Sequence, residues 1–125
     1  MKQYLVDTSI IIAHLRGTAG AQITNETRLN CVLSYVTVGE LLQGARNKRE
    51  QKTTTDVCSL FDIDWGSLSI NRTSHRLLSE YAMSHGMGVM DAIIAATALE
   101  RDLTIVTLNV KHFSCVTGIR VQSKV

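Results

Sequence analysis

The sequence predicts an α/β fold with three layers, in which helices cover both faces of a central, mostly parallel sheet. Stretches typical of strands alternate along the chain with stretches that have a helical spacing of apolar residues, and this order favours parallel strands joined by crossover helices. The strand candidates are nearly continuous apolar runs, as expected for strands that are buried on both faces. The chain has 125 residues, of which 45% are hydrophobic, so we expect one domain over 1–125.

Five short stretches are predicted as strands because they are rich in apolar or β-branched residues. In chain order they are QYLVD (3–7), CVLSYV (31–36), FDIDW (61–65), LTIVTLN (103–109) and GIRVQS (118–123).

Four stretches between these strands have the apolar spacing of helices, and they cover 8–17, 37–61, 69–86 and 91–101. Gly17 is expected to end the first helix, and the second breaks near Asn47. Ser69 is the predicted N-cap of the third helix, which Gly86 ends. Asp91 opens the fourth, whose segment AIIAATAL is apolar nearly all round, so we expect this helix deep inside the domain.

The composition argues against several classes of protein. A net charge of +2, from 13 Lys and Arg against 11 Asp and Glu, gives no overall attraction for nucleic acid, so only local basic patches could supply it. The three cysteines, Cys31, Cys58 and Cys115, lack the close pairing of zinc sites, and we expect buried thiols in a reducing compartment. The apolar runs are too short to cross a membrane, and Asp7 interrupts the stretch where a signal sequence would be apolar, so a cytoplasmic location is expected.

Common catalytic motifs are absent from the sequence. It contains no GxxxxGK[ST] or GxGxxG phosphate loop, no HExxH and no CxxC. The four histidines, His14, His75, His85 and His112, are scattered, and each alone is interpreted as an ordinary surface or partly buried side chain.

Four oxygen-bearing residues are expected at one edge of the predicted sheet. In an open parallel sheet, functional residues gather beyond the carboxyl ends of the strands. Asp7 ends the first strand, Glu40 follows the second by about one helical turn, Asp91 opens the buried helix and Asn109 ends the strand that contains TIVT. Such oxygen donors suit a hard cation such as Mg²⁺.

Each of these four residues also has a simpler interpretation when it is taken alone. Asp7 and Asp91 could cap helices, Glu40 could be a solvated glutamate opposite an apolar face, and Asn109 could cap a turn. Gly44, one turn after Glu40, would let another backbone or a ligand approach. The remaining acids are interpreted as solvating charge: Glu26, Glu50, Asp56, Asp62, Asp64, Glu80, Glu100 and Asp102.

Four stretches resemble, in order and spacing, the PIN-domain ribonucleases and, within them, the bacterial VapC-like toxins. They are YLVDTSIIIAHLRG, SYVTVGELLQGARN, GVMDAIIAATALERDLTIVTLNVKHF and VTGIRV, whereas residues 47–80 match poorly. The resemblance implies a PIN-like domain and a Mg²⁺-dependent endoribonuclease, with Mn²⁺ as a substitute. It also implies a VapB-like antitoxin that holds the toxin inactive, and a homodimer.

The resemblance also assigns roles to residues of this sequence. Asp7, Glu40 and Asp91 match the family's metal-binding acids, and Asn109 matches a fourth catalytic position where many members have an acid. His112 stands where other members often carry an acid. We therefore expect one tight ion and a second that substrate phosphate helps to bind. The lesser candidates are Thr8 and Ser9, which could orient a carboxylate or bind metal-linked water, and Arg16, Arg46, Lys48, Arg49, Arg72, Arg76 and Lys111, which could contact RNA.

The predicted cluster of acids has two expected consequences, and two other functions remain as alternatives. Like charges at Asp7, Glu40 and Asp91 should raise the pKa of at least one of these acids in the absence of metal. An antitoxin could satisfy the same acids with an arginine or lysine. The alternatives are a catalytically silent PIN-like module that binds RNA or protein, and a receiver-like signalling domain, which would need paired acids after its first strand.

Overall fold

The computed structural model describes residues 2–18 and 23–125. Within these residues the strands form one five-stranded sheet in the order β3-β2-β1-β4-β5, with every neighbouring pair parallel. The strands are β1 (Tyr4–Val6), β2 (Cys31–Ser34), β3 (Asp62–Asp64), β4 (Thr104–Val106) and β5 (Val121–Gln122). The predicted parallel sheet is confirmed. The receiver-like alternative is wrong, because receiver domains have the strand order 2-1-3-4-5.

Seven helices occur within the described ranges. They are α1 (Thr8–Leu15), α2 (Asn25–Arg28), α3 (Tyr35–Gln43), α4 (Lys48–Cys58), α5 (Leu68–His85), α6 (Val89–Arg101) and α7 (Val110–Phe113). The short helices α2 and α7 were not predicted from the sequence, because four residues are too few to show a helical period. All of the described helices are too short or too polar to span a bilayer.

Apolar side chains cover both faces of the sheet. On one face, Leu5 and Ile105 belong to a buried cluster with residues of α5, α6 and α7. On the other face, Val6 and Leu33 pack with residues of α1, α3 and α4. Helix α6 has six buried residues, so the expected burial of this helix and the three-layer architecture are both confirmed.

All five predicted strands are shorter in the structure than in the sequence interpretation, and the ends of the second and fourth strands change the assignment of neighbouring residues. The second strand ends at Ser34 because the Ser34 side chain accepts a hydrogen bond from the Val36 N–H at 3.2 Å and caps α3. Tyr35 and Val36 therefore belong to a helix. The fourth strand ends at Val106, so Asn109 is not at a strand end and instead occupies the N-cap position of α7.

The predicted break at Asn47 and the predicted end at Gly86 are confirmed, whereas the predicted cap of α5 is wrong. Asn47 caps α4 by accepting a hydrogen bond from the Glu50 N–H at 2.9 Å, which confirms the predicted break, and Gly86 ends α5 with a positive φ of 67°. Ser69 is not the cap of α5, because Ser67 accepts the hydrogen bond from the Ile70 N–H at 3.1 Å.

The cysteines are free thiols in the part of the chain that the structure describes. Cys31 and Cys58 are buried as expected, whereas Cys115 is only half-buried. Burial raises the pKa of Cys31 to about 11, so this thiol stays protonated and unreactive at neutral pH.

The capping assignment yields a matched pair of variants. Ser67→Ala should destabilise the protein by about 1 kcal/mol, because it leaves the Ile70 N–H without its partner. Ser69→Ala should have a smaller effect, because the Ser69 hydroxyl contacts only the exposed Glu100 carboxylate. Urea unfolding of the two variants and the wild type measures the difference. An equal loss in both variants would contradict the assignment.

Candidate active site

The Asp7 carboxylate is buried where β1 meets α1, with only 6% of the residue exposed. Its Oδ2 atom accepts hydrogen bonds from the hydroxyls of Thr107 at 2.7 Å and Ser9 at 3.1 Å. Asp7 occupies the N-cap position of α1, yet its side chain makes no capping hydrogen bond. Asp7 therefore holds the predicted N-cap position, but its carboxylate does not cap the helix.

The same two hydroxyls fix the loop that follows β4. Thr107 Oγ1 accepts a hydrogen bond from the Asn109 N–H at 2.9 Å, and Ser9 Oγ accepts one from the Leu108 N–H at 3.1 Å. A hydroxyl has one proton to donate and lone pairs with which to accept. Each hydroxyl can thus bridge the Asp7 carboxylate to the backbone of this loop.

Thr107 is a site residue that the sequence analysis missed, because it was placed inside a strand. The register between β1 and β4 indicates the position of Thr107. Val6 of β1 is paired with Val106 of β4, so the residues that follow them, Asp7 and Thr107, leave the sheet side by side.

Glu40 lies on α3 and is half-buried. Its Oε1 atom accepts a hydrogen bond from the Thr8 hydroxyl at 2.8 Å. The interpretation of Glu40 as a merely solvated charge is therefore wrong. Since Thr8 follows Asp7 directly, this hydrogen bond ties Glu40 to the start of α1, and both predicted hydroxyls, Thr8 and Ser9, do orient a carboxylate.

Gly44 ends α3, and its backbone N–H donates to the Glu40 carbonyl at 2.9 Å. A Cβ atom at Gly44 would lie 3.3 Å from that same carbonyl oxygen. The close neighbour of Gly44 is thus the preceding turn of its own helix.

Asp91 lies in the first turn of α6, while Gly88 occupies the N-cap position. The interpretation of Asp91 as the cap is therefore wrong. The Asp91 pKa is raised above its usual value, chiefly because burial disfavours the charged form, and the nearby Asp7 raises it further while His112 lowers it. The expectation of a raised pKa is met, although burial contributes more than repulsion.

His112 lies on α7 and faces Asp91 across the site. Its Nδ1 atom is 3.6 Å from Asp91 Oδ2, and 59% of its side chain is exposed. Asn109, at the start of the same helix, is exposed, and its side chain makes no hydrogen bond that caps α7.

A groove of about 520 Å³ adjoins Glu40. Glu40 lines this groove together with residues of α1, α3 and α4, including Gly44 and the predicted RNA contacts Arg16, Arg46 and Arg49. Lys48 and Lys111 are exposed and are not part of its lining. The structure thus brings three of the seven basic candidates to one surface beside Glu40, whereas Arg72 and Arg76 are exposed on α5.

Of the eight acids that were interpreted as solvating charge, Glu50 and Asp64 are half-buried beside specific partners. Glu50 forms an ion pair at 2.7 Å with Arg46, which lies four residues before it, and both residues line the groove. The Arg46 hydrogen bonds lower the pKa of Glu50 to about 2. Asp64 accepts hydrogen bonds from Arg101 and from the Gly66 N–H, both at 2.8 Å, and its side chain is only 11% exposed. The contact between Asp64 and Arg101 was missed because it depends on tertiary structure, whereas Arg46 and Glu50 are only four residues apart in sequence.

The donors fit a hard cation in their chemistry, because Asp7, Glu40 and Asp91 supply carboxylate oxygens and Asn109 an amide oxygen. Within residues 2–18 and 23–125, however, no group of three or more His, Cys, Asp or Glu side chains is arranged so that it could hold an ion. Asp7 and Glu40 instead accept hydrogen bonds from neighbouring hydroxyls. The roles of these residues as ligands remain a prediction.

Comparison with known proteins identifies the family. The sequence profile of the PIN domain matches residues 4–116. This chain belongs to the PIN-domain family. Ribonuclease VapC10 of Mycobacterium tuberculosis is 34% identical over 113 residues, which are 87% of this chain and 84% of that protein. Ribonuclease VapC19 of the same species is 33% identical over 116 residues, which are 87% of this chain and 90% of that protein.

A solved structure resembles this PIN domain over its whole length. A chain of a toxin–antitoxin complex from Klebsiella pneumoniae is 28% identical, with a TM-score of 0.76, and the match covers 98% of this chain and 100% of that one. The family resemblance inferred from the sequence motifs and the α/β fold class are both confirmed.

The raised pKa of Asp91 predicts how this PIN domain responds to metal and pH. The Asp91 pKa is higher in the folded state than in the unfolded state, so ionisation of Asp91 destabilises the fold. The favourable contribution of Asp91 to stability is therefore present below the unfolded-state pKa and is lost as pH rises through the folded-state pKa. At neutral pH without metal, Asp91→Asn should therefore melt higher than the wild type. The advantage should shrink as the pH is lowered toward about 4.

Metal should reverse the order of the melting temperatures of Asp91→Asn and the wild type. Mg²⁺ or Mn²⁺ at about a hundredfold excess over its Kd should stabilise the wild type by about 2.7 kcal/mol, or several degrees, and Asp91→Asn much less. Thermal melts in metal-free and metal-containing buffer measure this. Asp56→Asn, which removes an exposed acid paired with Lys52, is the control and should keep the wild-type shift. Equal metal-induced shifts in Asp91→Asn and the wild type would remove Asp91 from the site.

Proposed function

We propose that this chain is a metal-dependent endoribonuclease toxin that a cognate antitoxin holds inactive. The PIN-domain match and the relatives that are named ribonucleases support the activity, and the similar chain from a toxin–antitoxin complex supports the biological role. The observation that carries the proposal is the placement of Asp7, Glu40 and Asp91 at one edge of the sheet, with the first two carboxylates oriented by hydroxyls.

Mg²⁺ is the proposed ion, with Mn²⁺ as a substitute, and Asp7, Glu40 and Asp91 are its proposed ligands. Bound there, a divalent ion supplies an activated water and neutralises charge on the phosphate and on the leaving oxygen. The chain itself supplies orientation. Ser9 and Thr107 fix the Asp7 carboxylate, and Thr8 fixes that of Glu40.

The groove beside Glu40 is the proposed path of the RNA strand. Arg16, Arg46 and Arg49 line it, and arginine side chains bind phosphate oxygens well because their donors form a planar fork. Arg46 is already paired with Glu50, so Arg16 and Arg49 are the more available cations. Phosphate contacts position a strand without reading its bases.

The antitoxin is proposed to act at the same place. A basic side chain of an antitoxin segment laid in the groove would satisfy the carboxylates that otherwise bind metal. A homodimer is part of the same proposal. Exposed apolar side chains that could support such an interface include Trp65 and Leu68, which are 76% and 65% exposed.

Cleavage of total RNA tests the proposal directly. The purified chain should cleave RNA with Mg²⁺ and not with EDTA, and mapping the new ends shows where. Asp7→Asn, Glu40→Gln and Asp91→Asn should each lower the rate by more than about a hundredfold, since even the partners that orient metal ligands contribute 10- to 100-fold. Thr107→Val, which removes a hydrogen bond to Asp7, should fall within that smaller range.

Asp56→Asn is the matched control for this assay and should cleave like the wild type. Circular dichroism verifies that each variant is folded. Cleavage that persists in EDTA would contradict metal dependence, and near wild-type cleavage by one acid variant would remove that residue from the site. Intact RNA with folded wild type in Mg²⁺ would favour the catalytically silent module.

A further inference from the structure

We propose that Leu108 and Lys111 bind the RNA strand on the side of the acids that faces away from the groove, Leu108 at a base and Lys111 at a phosphate. The inference rests on the proposed function and deepens it, because it assigns the second half of the substrate path. An endonuclease cuts inside a strand, so nucleotides must lie on both sides of the phosphate that is cut. The groove beside Glu40 accounts for one side only.

The order of the strands defines the two sides. Strands β2, β1 and β4 are consecutive neighbours in the sheet, and their carboxyl ends lie at one edge because they are parallel. Glu40 lies on α3, which follows β2, and the groove extends from it along α1, α3 and α4. Lys111 lies on α7, which follows β4. Asp7, which follows β1, therefore stands between the groove and α7.

The loop that carries Leu108 is fixed next to the Asp7 carboxylate. The Leu108 N–H donates to Ser9 Oγ at 3.1 Å, and Ser9 Oγ donates to Asp7 Oδ2 at 3.1 Å. Leu108 itself is 52% exposed. The bases of single-stranded RNA are unstacked, and their faces pack against aromatic and apolar side chains. Leu108 is thus placed to cover a base next to the phosphate that the acids would hold.

Further apolar side chains are exposed on the same side. Val89 and Met90, which directly precede Asp91, are 56% and 44% exposed. Asp91 faces His112 of α7, with 3.6 Å between its Oδ2 atom and His112 Nδ1, so the start of α6 lies beside α7. A single exposed leucine would need no explanation, but exposed apolar side chains that gather at a polar site are typical of a binding surface.

Lys111 supplies positive charge on this side. It is exposed, and it belongs to none of the ion pairs in the described part of the chain. The turn that carries it is fixed, because Phe113 is fully buried and the Ser114 N–H donates to the Val110 carbonyl at 3.1 Å. An ammonium group on a fixed turn beside the acids can bind a neighbouring phosphate and so position the strand.

The antitoxin is the other candidate occupant of this surface. An antitoxin segment that brings a basic side chain to the acids would meet Lys111 as a like charge, whereas an RNA phosphate meets it as an opposite charge. The charge of the surface therefore favours RNA.

Cleavage of a single-stranded RNA that the wild type cuts at one position tests the role of Leu108. Removal of one of the two bases that flank the cut should lower the wild-type kcat/KM about fivefold, the effect of uncovering roughly half of an aliphatic side chain. Leu108→Ala should lose a similar factor on the intact RNA and respond little to the missing base. Leu60→Ala, which is 53% exposed just before β3 and thus at the opposite edge of the sheet, is the matched control and should respond like the wild type.

Binding of the same RNA to the Glu40→Gln chain, which should leave it uncut, tests the role of Lys111. Each phosphate contact to a single strand contributes about 0.7 to the slope of log affinity against log salt concentration. Adding Lys111→Ala should therefore weaken binding at low salt and flatten the slope by about this amount. Lys52→Ala, which removes an exposed lysine paired with Asp56, is the control and should keep the slope.

Four results would overturn the inference, and only the last also refutes the proposed function. The first is Mg²⁺-dependent cleavage in which Leu108→Ala and Lys111→Ala behave like their controls. The second is an equal loss by Leu108→Ala on the intact and the abasic RNA, which would assign Leu108 to the fold and not to a base. The third is normal cleavage by both variants with loss of inhibition by the antitoxin, which would assign the surface to the antitoxin. The fourth is a folded wild type that cuts no RNA.

Discussion

The buried carboxylate of Asp7 is the constraint on which the rest of the site depends. An ionised carboxylate inside a protein is strongly unfavourable unless hydrogen bonds compensate for the lost water. Here the Ser9 and Thr107 hydroxyls supply these bonds, and each also accepts a backbone N–H from the loop after β4. Satisfying one charge therefore joins the start of α1 to the end of β4, two parts of the chain that are about a hundred residues apart in sequence.

The other two acids are placed relative to this one. Glu40 is linked to the start of α1 through Thr8, and Asp91 approaches from the first turn of the buried helix α6. The pKa of Asp91 is raised both by its burial and by the charge of Asp7. A site that contains an acid whose anion is poorly stabilised gains the most stability when a cation binds. The poor stabilisation of the Asp91 anion makes the fold less stable without metal. It would also make the site bind metal or a basic antitoxin side chain.

The sequence predicted the acids better than the residues that hold them. Asp7 and Asp91 were singled out because strand ends and apolar burial, which are local patterns, predict that both residues lie at one sheet edge. Thr107 was missed because its role depends on the register between β1 and β4, which no local pattern contains. Ser69 was predicted as the cap because it directly precedes the apolar face, but the extended backbone at Ser67, with φ −161° and ψ 167°, lets the Ser67 side chain reach the Ile70 N–H.

The central claim is that Asp7, Glu40 and Asp91 hold a divalent ion together. Diffraction from crystals of the wild-type chain grown with Mn²⁺ tests it most directly, because the anomalous signal of the ion locates it without reference to activity. We expect one strong peak within about 2.5 Å of carboxylate oxygens of Asp7 and Asp91, with Glu40 bonded to the ion directly or through water. A well-ordered site in saturating Mn²⁺ with no peak among these three acids would contradict the claim.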